Sequence, residues 1–328
     1  MSDSEFPLEP LAPACLPWQL TAMEQLQVAA ESQRLPHGLL LHGLPGSGLK
    51  TFAGALARLL SCSAPTGVVP CGSCRSCTLN EAGHHPDLRR LEPEKRGAVI
   101  SVNQVRDAIE FGQQTAQMGG RRLLLIAPAE NMNVYAANSL LKLLEEPGDN
   151  MVLILLTYAT NGLLPTIRSR CQSIQVPTPG DAEAIKWLEA MTGDRHRAEQ
   201  ALAIKPNRPV AALNLYQDGG LELYATLGKL LAAAETGSVT SQQLAATWEQ
   251  VGAEAALEWL YQHYLGQARE AVLAGAGSAN ARLALVDMVR DSRRTALAGN
   301  NPNLGLLLQS LAQQLVQSSR ELLPRDTA

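Results

Sequence analysis

Gly38-Leu39-Leu40-Leu41-His42 reads as a buried strand, Gly43-Leu44-Pro45-Gly46-Ser47-Gly48 as a tight loop, and the apolar run Thr51–Leu60 as a helix. Strand, glycine-rich loop and helix in this order form the context of a phosphate-binding loop. In such a loop, backbone N–H groups at a helix N-terminus cradle phosphate, a Lys reaches the β and γ phosphates, and Ser or Thr holds Mg²⁺. The pattern puts Lys directly after the last Gly. Here Leu49 intervenes, so Leu49 and Lys50 occupy the places meant for Lys and Ser/Thr. One residue turns a helix by about 100°, enough to aim Lys50 elsewhere unless the loop bulges. Gly43, Gly46, Gly48, Lys50 and Thr51 are therefore candidates for a degenerate nucleotide site, with ATP binding weak or absent. The alternative is a Gly-rich turn with no nucleotide role.

Two further strand-like runs, Arg122–Ala127 and Val152–Thr157, flank the helical stretch Val134–Glu145. Strands alternating with helices predict a mostly parallel sheet covered on both faces. In a phosphate-loop ATPase an apolar strand leads into an acidic residue that holds Mg²⁺, and often a second one that activates water. Here Leu123-Leu124-Leu125-Ile126 leads into Ala127-Pro128-Ala129-Glu130. Ala127 and Pro128 can do neither, and Glu130, three residues on, reads as a solvated loop residue. Two separate defects agree that the chain does not hydrolyse ATP.

Pro177-Thr178-Pro179-Gly180 breaks the chain, and Asp181 is the expected N-cap of a helix through Met191. From Leu221 the pattern is helical: Trp248, Val251, Ala255, Trp259 and Leu260 recur near helical spacing, as do the leucines of Leu304–Leu323. The expected fold class is α/β followed by all-α. The expected domains are 1–177, 178–218 (a small helical module) and 219–328 (all helical).

The 328 residues are 46% hydrophobic and 18% charged, enough apolar content for buried cores. A net charge of −4 excludes coating of nucleic acid by bulk charge alone. Any DNA contact must come from local groups such as Arg121, Arg122 and Lys142, of which Arg121 and Arg122 alternatively just flank a strand end. Aromatics at 4% argue against a large sandwich or barrel. Met1–Pro17 is acidic and Pro-rich, unlike a secretory signal, and no apolar run approaches the roughly 20 residues of a membrane span. A cytoplasmic protein without membrane contact is expected.

Cys62, Cys71, Cys74 and Cys77 form C-x8-C-x2-C-x2-C just after the first apolar helix. Thiolates spaced by two residues curl around one tetrahedral ion, and Cys62 completes a closed four-sulfur shell. Such a shell is structural, and zinc suits it. An iron–sulfur cluster shares the C-x2-C-x2-C core, and four merely buried thiols are the remaining alternative. Cys15 and Cys171 stand apart, with no His placed to make a nucleophilic pair. His84-His85-Pro86-Asp87 reads as a loop entering the next strand.

The Gly43–Thr51 loop, the four-cysteine insertion, Ala137-Asn138-Ser139-Leu140-Leu141-Lys142-Leu143-Leu144-Glu145-Glu146-Pro147 and Ser169-Arg170-Cys171 occur in the order seen in bacterial clamp-loader ATPases, which the chain resembles. Its degeneracy at both nucleotide motifs resembles the delta-prime branch of the DNA polymerase III clamp loaders rather than the gamma/tau motors. The resemblance implies an AAA+ module with zinc, a small helical lid and a helical collar. It implies a five-membered ring with gamma/tau and delta that loads a sliding clamp on primed DNA. It also implies that Arg170, within Ser169-Arg170-Cys171, points in trans at the γ-phosphate of a neighbouring motor. The bland alternative for Arg170 is a surface salt bridge, and Arg168 is a weaker competitor. In the helical block, Leu140, Leu141, Leu143 and Leu144 are expected to pack inward and Lys142 and Glu145 to face out. Asn138, Lys142 and Glu145-Glu146 are candidates for the subunit interface or the approach to DNA. Thr157 and Arg208 stand near where motors sense nucleotide. An active motor ATPase and a zinc-containing DNA-binding module are the competing functions.

Overall fold

The structure is a computed structural model that describes residues 12, 14–95, 98–297 and 303–322. Most of the Met1–Pro17 segment, through Leu11 and again at Pro13, and Leu323 at the expected end of the last helix lie outside the described residues. Contacts divide the chain into two compact units, residues 3–213 and the residues from Asn214 onward.

The first unit is built in chain order from α1 (Leu20–Glu31), β1 (Gly38–His42), α2 (Leu49–Ser61), α3 (Arg75–Glu81), β2 (Leu88–Leu91), α4 (Val102–Gln113) and β3 (Arg122–Ile126). It continues with α5 (Val134–Glu145), β4 (Met151–Thr157), α6 (Pro165–Arg168), β5 (Gln172–Gln175), α7 (Asp181–Thr192), α8 (Arg195–Ile204) and the start of α9 (Pro209–Gln217). The five strands form one parallel sheet in the order β2-β3-β4-β1-β5. Successive side chains leave a strand on opposite faces, and each central strand is apolar throughout. Leu39 and Leu41 of β1 therefore enter the core under α1 and α2, with Met23, Phe52 and Leu56. Leu40 enters the opposite core under α4 and α5, with Val105, Leu140 and Leu144. Both faces are covered, as the continuous apolar runs of β1, β3 and β4 require. The β1 run, α5 and most of β4 fall where the sequence predicts them.

Three details differ from expectation. Gly180, not Asp181, is the N-cap of α7, and Asp181 opens the helix with its charge at the positive end of the dipole. Strand β5 is an edge strand of Gln172, Ser173, Ile174 and Gln175, mostly exposed, with no apolar run to announce it. Arg122 stands at the start of β3, as the alternative reading expects, but it is buried and offers no charge to DNA: it is 1% exposed. Its guanidinium lies over the Phe111 ring, 4.0 Å to the centroid, donates to Thr115 O at 2.9 Å, and sits 4.0 Å from buried Asp87. Asp87 in turn accepts from the backbone N–H groups of Gln117 and Met118, both at 2.8 Å, so the charge pair clips the 114–118 loop to the sheet. A buried charge needs such partners. Half-buried Arg121 donates to Ala30 O at 2.7 Å.

The second unit is helical: α10 (Gly220–Glu235), α11 (Ser241–Val251), α12 (Ala253–Leu273), α13 (Ala279–Leu297) and α14 (Leu304–Leu322). Gly252 separates α11 from α12, so the run from Trp248 to Leu260 is two helices. Trp248, Leu260 and Tyr264 are buried, as are Leu308, Leu311 and Leu315 of α14 at helical spacing. Tyr264 Oη and Ser319 Oγ share a hydrogen bond of 3.4 Å, satisfying two hydroxyls inside this core. Among the described residues no helix is long and apolar enough to cross a membrane.

Candidate functional site

The glycine loop follows β1 at the C-terminal edge of the sheet, the edge where ligands bind in open parallel α/β folds. Gly48 is the N-cap of α2 at φ 96°, a left-handed conformation that glycine adopts without strain. The loop is internally closed, because Ser47 Oγ donates to Leu44 O at 2.7 Å and Ser47 is fully buried. It is also walled by its own chain. Gln19 Nε2, buried, donates to Gly48 O at 3.0 Å, and Gln19 Oε1 accepts from Leu16 N at 3.0 Å. A Cβ on Gly48 would overlap Leu16 Cδ1, and one on Gly46 would overlap Ala211 Cβ. From the other side, Val210 N and Ala211 N, in the first turn of α9, both donate to Gly46 O, at 3.0 and 3.1 Å. Trp18 meets Trp187 of α7 edge to face at 5.3 Å between centroids. Lys50 and Thr51 are half-buried at the start of α2.

Glu130 is not a solvated loop residue. Its Oε1 accepts from Tyr158 N at 2.9 Å and its Oε2 is buried, so the carboxylate ties the turn after β3 to the end of β4. Thr157, in register with His42, is fully buried and its Oγ1 accepts from Ala159 N at 3.1 Å.

Cys62 follows the end of α2, Cys74 caps α3 and Cys77 lies in its first turn. The four Sγ atoms of Cys62, Cys71, Cys74 and Cys77 all lie within 4.8 Å of one another. Two of the separations, Cys62–Cys74 and Cys71–Cys77, are 4.0 Å. A tetrahedron with Zn–S bonds of about 2.3 Å has edges of about 3.8 Å, so the set fits one ion with little adjustment. Backbone N–H groups of Cys71, Cys74 and Cys77 donate to the sulfurs of Cys62, Cys71 and Cys74 at 3.3, 3.3 and 3.4 Å. Donors aimed at sulfur favour thiolate, the form that binds metal. Desolvation opposes this at Cys74, yet donors from Ser63 and from Cys77 N hold its thiol down at about 5. Desolvation, and then the neighbouring Cys74, push Cys77 up to about 12. This group can hold a metal ion.

Ser169, Arg170 and Cys171 join α6 to β5 at the opposite edge of the sheet. Register pairs Leu39 with Gln172, which sets Cys171 beside Gly38 at the N-terminal end of β1. A Cβ on Gly38 would meet Arg170 O at 3.1 Å and Cys171 Sγ at 3.3 Å, so a side chain there would push this segment away by a few tenths of an ångström. Cys171 turns inward, and burial pushes its thiol up to about 11. Arg170 turns outward, 37% exposed, with Nη2 2.7 Å from Glu145 Oε1 and Nη1 donating to Thr166 O at 3.1 Å.

A family sequence model described as "DNA polymerase III, delta subunit" matches residues 18–180. A DNA polymerase III subunit delta' of Pseudomonas aeruginosa is 36% identical over 318 residues, 91% of this chain and 96% of that protein. The chain belongs to this delta-prime family. The subunit delta' of Escherichia coli K12 is 36% identical over 74% of this chain and 73% of its own length. A solved gamma subunit-related protein of Thermotoga maritima aligns over 92% of this chain and 100% of its own at 17% identity, with a TM-score of 0.48.

In this delta-prime family member the predicted site residues fall into three places. Gly43, Gly46, Gly48, Lys50 and Thr51 lie together at one edge of the sheet, and Ser169, Arg170 and Cys171 lie at the other. The four cysteines meet beyond α2. Asn138, Lys142, Glu145 and Glu146 are exposed on α5 while Leu140, Leu143 and Leu144 are buried and Leu141 is half-buried. Sequence reasoning missed Leu16, Gln19, Val210 and Ala211 at the glycine loop. Their contacts join segments far apart in the chain, and no local pattern signals them.

Proposed function

We propose that the chain works in the DNA polymerase III clamp loader as a subunit that turns over no ATP and supplies Arg170 to a neighbouring motor. Its partners on this reading are gamma/tau and delta in a five-membered ring, with the sliding clamp and primer-template DNA reached through the assembly. Residues 1–177, 178–218 and 219–328 then serve as nucleotide-fold module, lid and collar. Zinc at Cys62, Cys71, Cys74 and Cys77 would be structural, since four thiolates leave no open coordination position.

The observation that carries the reading is the separation of Arg170 from its own phosphate loop. Arg170 stands beside Gly38 and the loop begins after His42, at the two ends of β1. Five strand residues span about 16 Å, more than twice the roughly 7 Å reach of an arginine side chain. A phosphate that Arg170 contacts therefore belongs to another chain. A guanidinium supplied in trans neutralises charge on a transferring phosphoryl group, worth about 10³–10⁵ in rate in GTPases. The loop itself supports silence: Leu49 displaces Lys50, Ala127 and Pro128 stand where acids would hold Mg²⁺, and Leu16, Gln19 and Ala211 crowd the glycines.

The test is DNA- and clamp-stimulated ATP hydrolysis by motor subunits reconstituted with this chain, wild type against Arg170→Ala, with assembly checked by gel filtration. Single-turnover hydrolysis at the site served is expected to fall by about 10³. Unchanged turnover in an intact complex refutes the trans role. For the metal, elemental analysis is expected to find one zinc per chain, lost with Cys74→Ser along with protease resistance across residues 62–87. An iron signal or no metal would replace that assignment.

A further inference from the structure

Glu145 closes α5 at a place where local rules disfavour an acid. The last turn of a helix carries partial negative charge and favours cations, yet Glu145 and Glu146 both stand there. Glu145 makes no contribution to the core, being 50% exposed. An ion pair this exposed adds little to stability, so stability is a poor reason for the placement. Its carboxylate does one specific thing: Oε1 lies 2.7 Å from Arg170 Nη2.

The backbone beneath both partners is tightly held. His37 Nε2 donates to Leu144 O at 2.9 Å, tying the end of α5 to the residue before β1. Arg170 N donates to Ile167 O at 3.1 Å, and Arg170 O packs against Gly38, the next residue along. The two side chains thus rise from one rigid junction. A guanidinium has five donor hydrogens. Glu145 Oε1 and Thr166 O engage one each, leaving three for an anion. Held by two acceptors, the planar group is fixed in orientation without being used up, whereas a free arginine spreads over many rotamers.

We infer that Glu145 is a positioning residue, which pre-orients the Arg170 guanidinium for a phosphate on the neighbouring subunit. This rests on the reading of Arg170 as a group acting in trans. The local cost of an acid at the end of α5 is then offset by order in the arginine, and Glu145 itself touches no phosphate.

The experiment is a double-mutant cycle in the reconstituted complex, using full-length Glu145→Ala, Glu145→Asp, Arg170→Ala and the double variant Glu145→Ala/Arg170→Ala. Thermal melting and gel filtration verify folding and assembly of each. Glu145→Ala is expected to lower kcat roughly tenfold, the scale of rotamer freedom that one anchor removes from an arginine, with KM for ATP unchanged. Glu145→Asp keeps the carboxylate and recovers part of the rate. In the Arg170→Ala background, removal of Glu145 has no further effect, because residues that act through one another are non-additive. The inference is overturned if Glu145→Ala matches wild type, if it moves only KM, or if it costs the same factor with Arg170 already gone. If Arg170→Ala itself leaves turnover intact in an assembled complex, the trans reading falls and Glu145's role falls with it.

Discussion

The two ends of β1 have opposite characters. At its C-terminal end a glycine loop of nearly the right composition is closed on itself, with Ser47 bonded back to Leu44 and Gly46 and Gly48 capped by main chain and side chain from residues 16–19 and 209–211. At its N-terminal end a four-residue helix and an edge strand of glutamines present an exposed arginine steered by a carboxylate. The loop carries the more conspicuous sequence pattern and the poorer chemistry. What separates the two ends is access: the carbonyls of Gly46 and Gly48 and the hydroxyl of Ser47 are engaged within the chain, while Glu145 and Thr166 engage only two of the five donor hydrogens of the exposed Arg170. Buried polar groups must be paired, and around this loop the partners come from the chain's own backbone and side chains.

That contrast can be broken in three ways. Largest is a difference in thiol chemistry beside Arg170. With its thiol pushed up to about 11 by burial, Cys171 holds only a small thiolate fraction at pH 8, so alkylation at that pH should run roughly 10²-fold slower than for an unperturbed cysteine of pKa about 8.5. The rate should climb as pH rises toward 11, because a raised pKa withholds the thiolate until then. Peptide mapping after timed iodoacetamide treatment checks this, and rapid labelling at pH 8 would mean that the segment opens. Next is Gly46→Ala, which forces a side chain into φ 76° and against Ala211 Cβ. Strain and overpacking together should destabilise the chain by about 1–3 kcal/mol, read as a lowered midpoint in urea. An unchanged midpoint would mean that the 209–211 turn does not sit on the loop. Smallest is Lys50→Ala: titration with a fluorescent ATP analogue should be indistinguishable from wild type, both without saturation. Saturable binding abolished by the substitution would restore the loop as a working site.

How much of this was legible in the sequence depends on the range of the interactions. Strands β1 and β4 announce themselves as short unbroken apolar runs and helix α5 by apolar residues at a period of 3.6, signals that are local in the chain. The cysteine group was equally readable, since a turn between thiols two residues apart brings them together almost regardless of context. Arg122 is at a strand boundary as its place beside an apolar run suggests, but its burial was not legible, because its partners Asp87 and Phe111 arrive from other elements. Strand β5 had no hydrophobic signature because an edge strand need bury little. Glu130 looked solvated because its acceptor role serves the Tyr158 N–H, a backbone group of the next strand's end. At the glycine loop the displaced Lys50 was visible in the spelling, but the walls were not: Gln19 and Ala211 become neighbours only when the chain has folded.

The paired bonds from Val210 N and Ala211 N to Gly46 O have a consequence for what the chain can sense. In an enzyme whose loop grips a nucleotide, the segment resting on that loop feels whether two or three phosphates lie beneath it. Here the same contact is main chain against main chain. If, as proposed, the loop holds no nucleotide, such bonds are equally present in a cell rich in ATP and in one running on ADP. On the proposed reading the joint between the loop and the first turn of α9 is deaf to the cell's energy charge, a fixed reference against which nucleotide-dependent movements elsewhere can be measured.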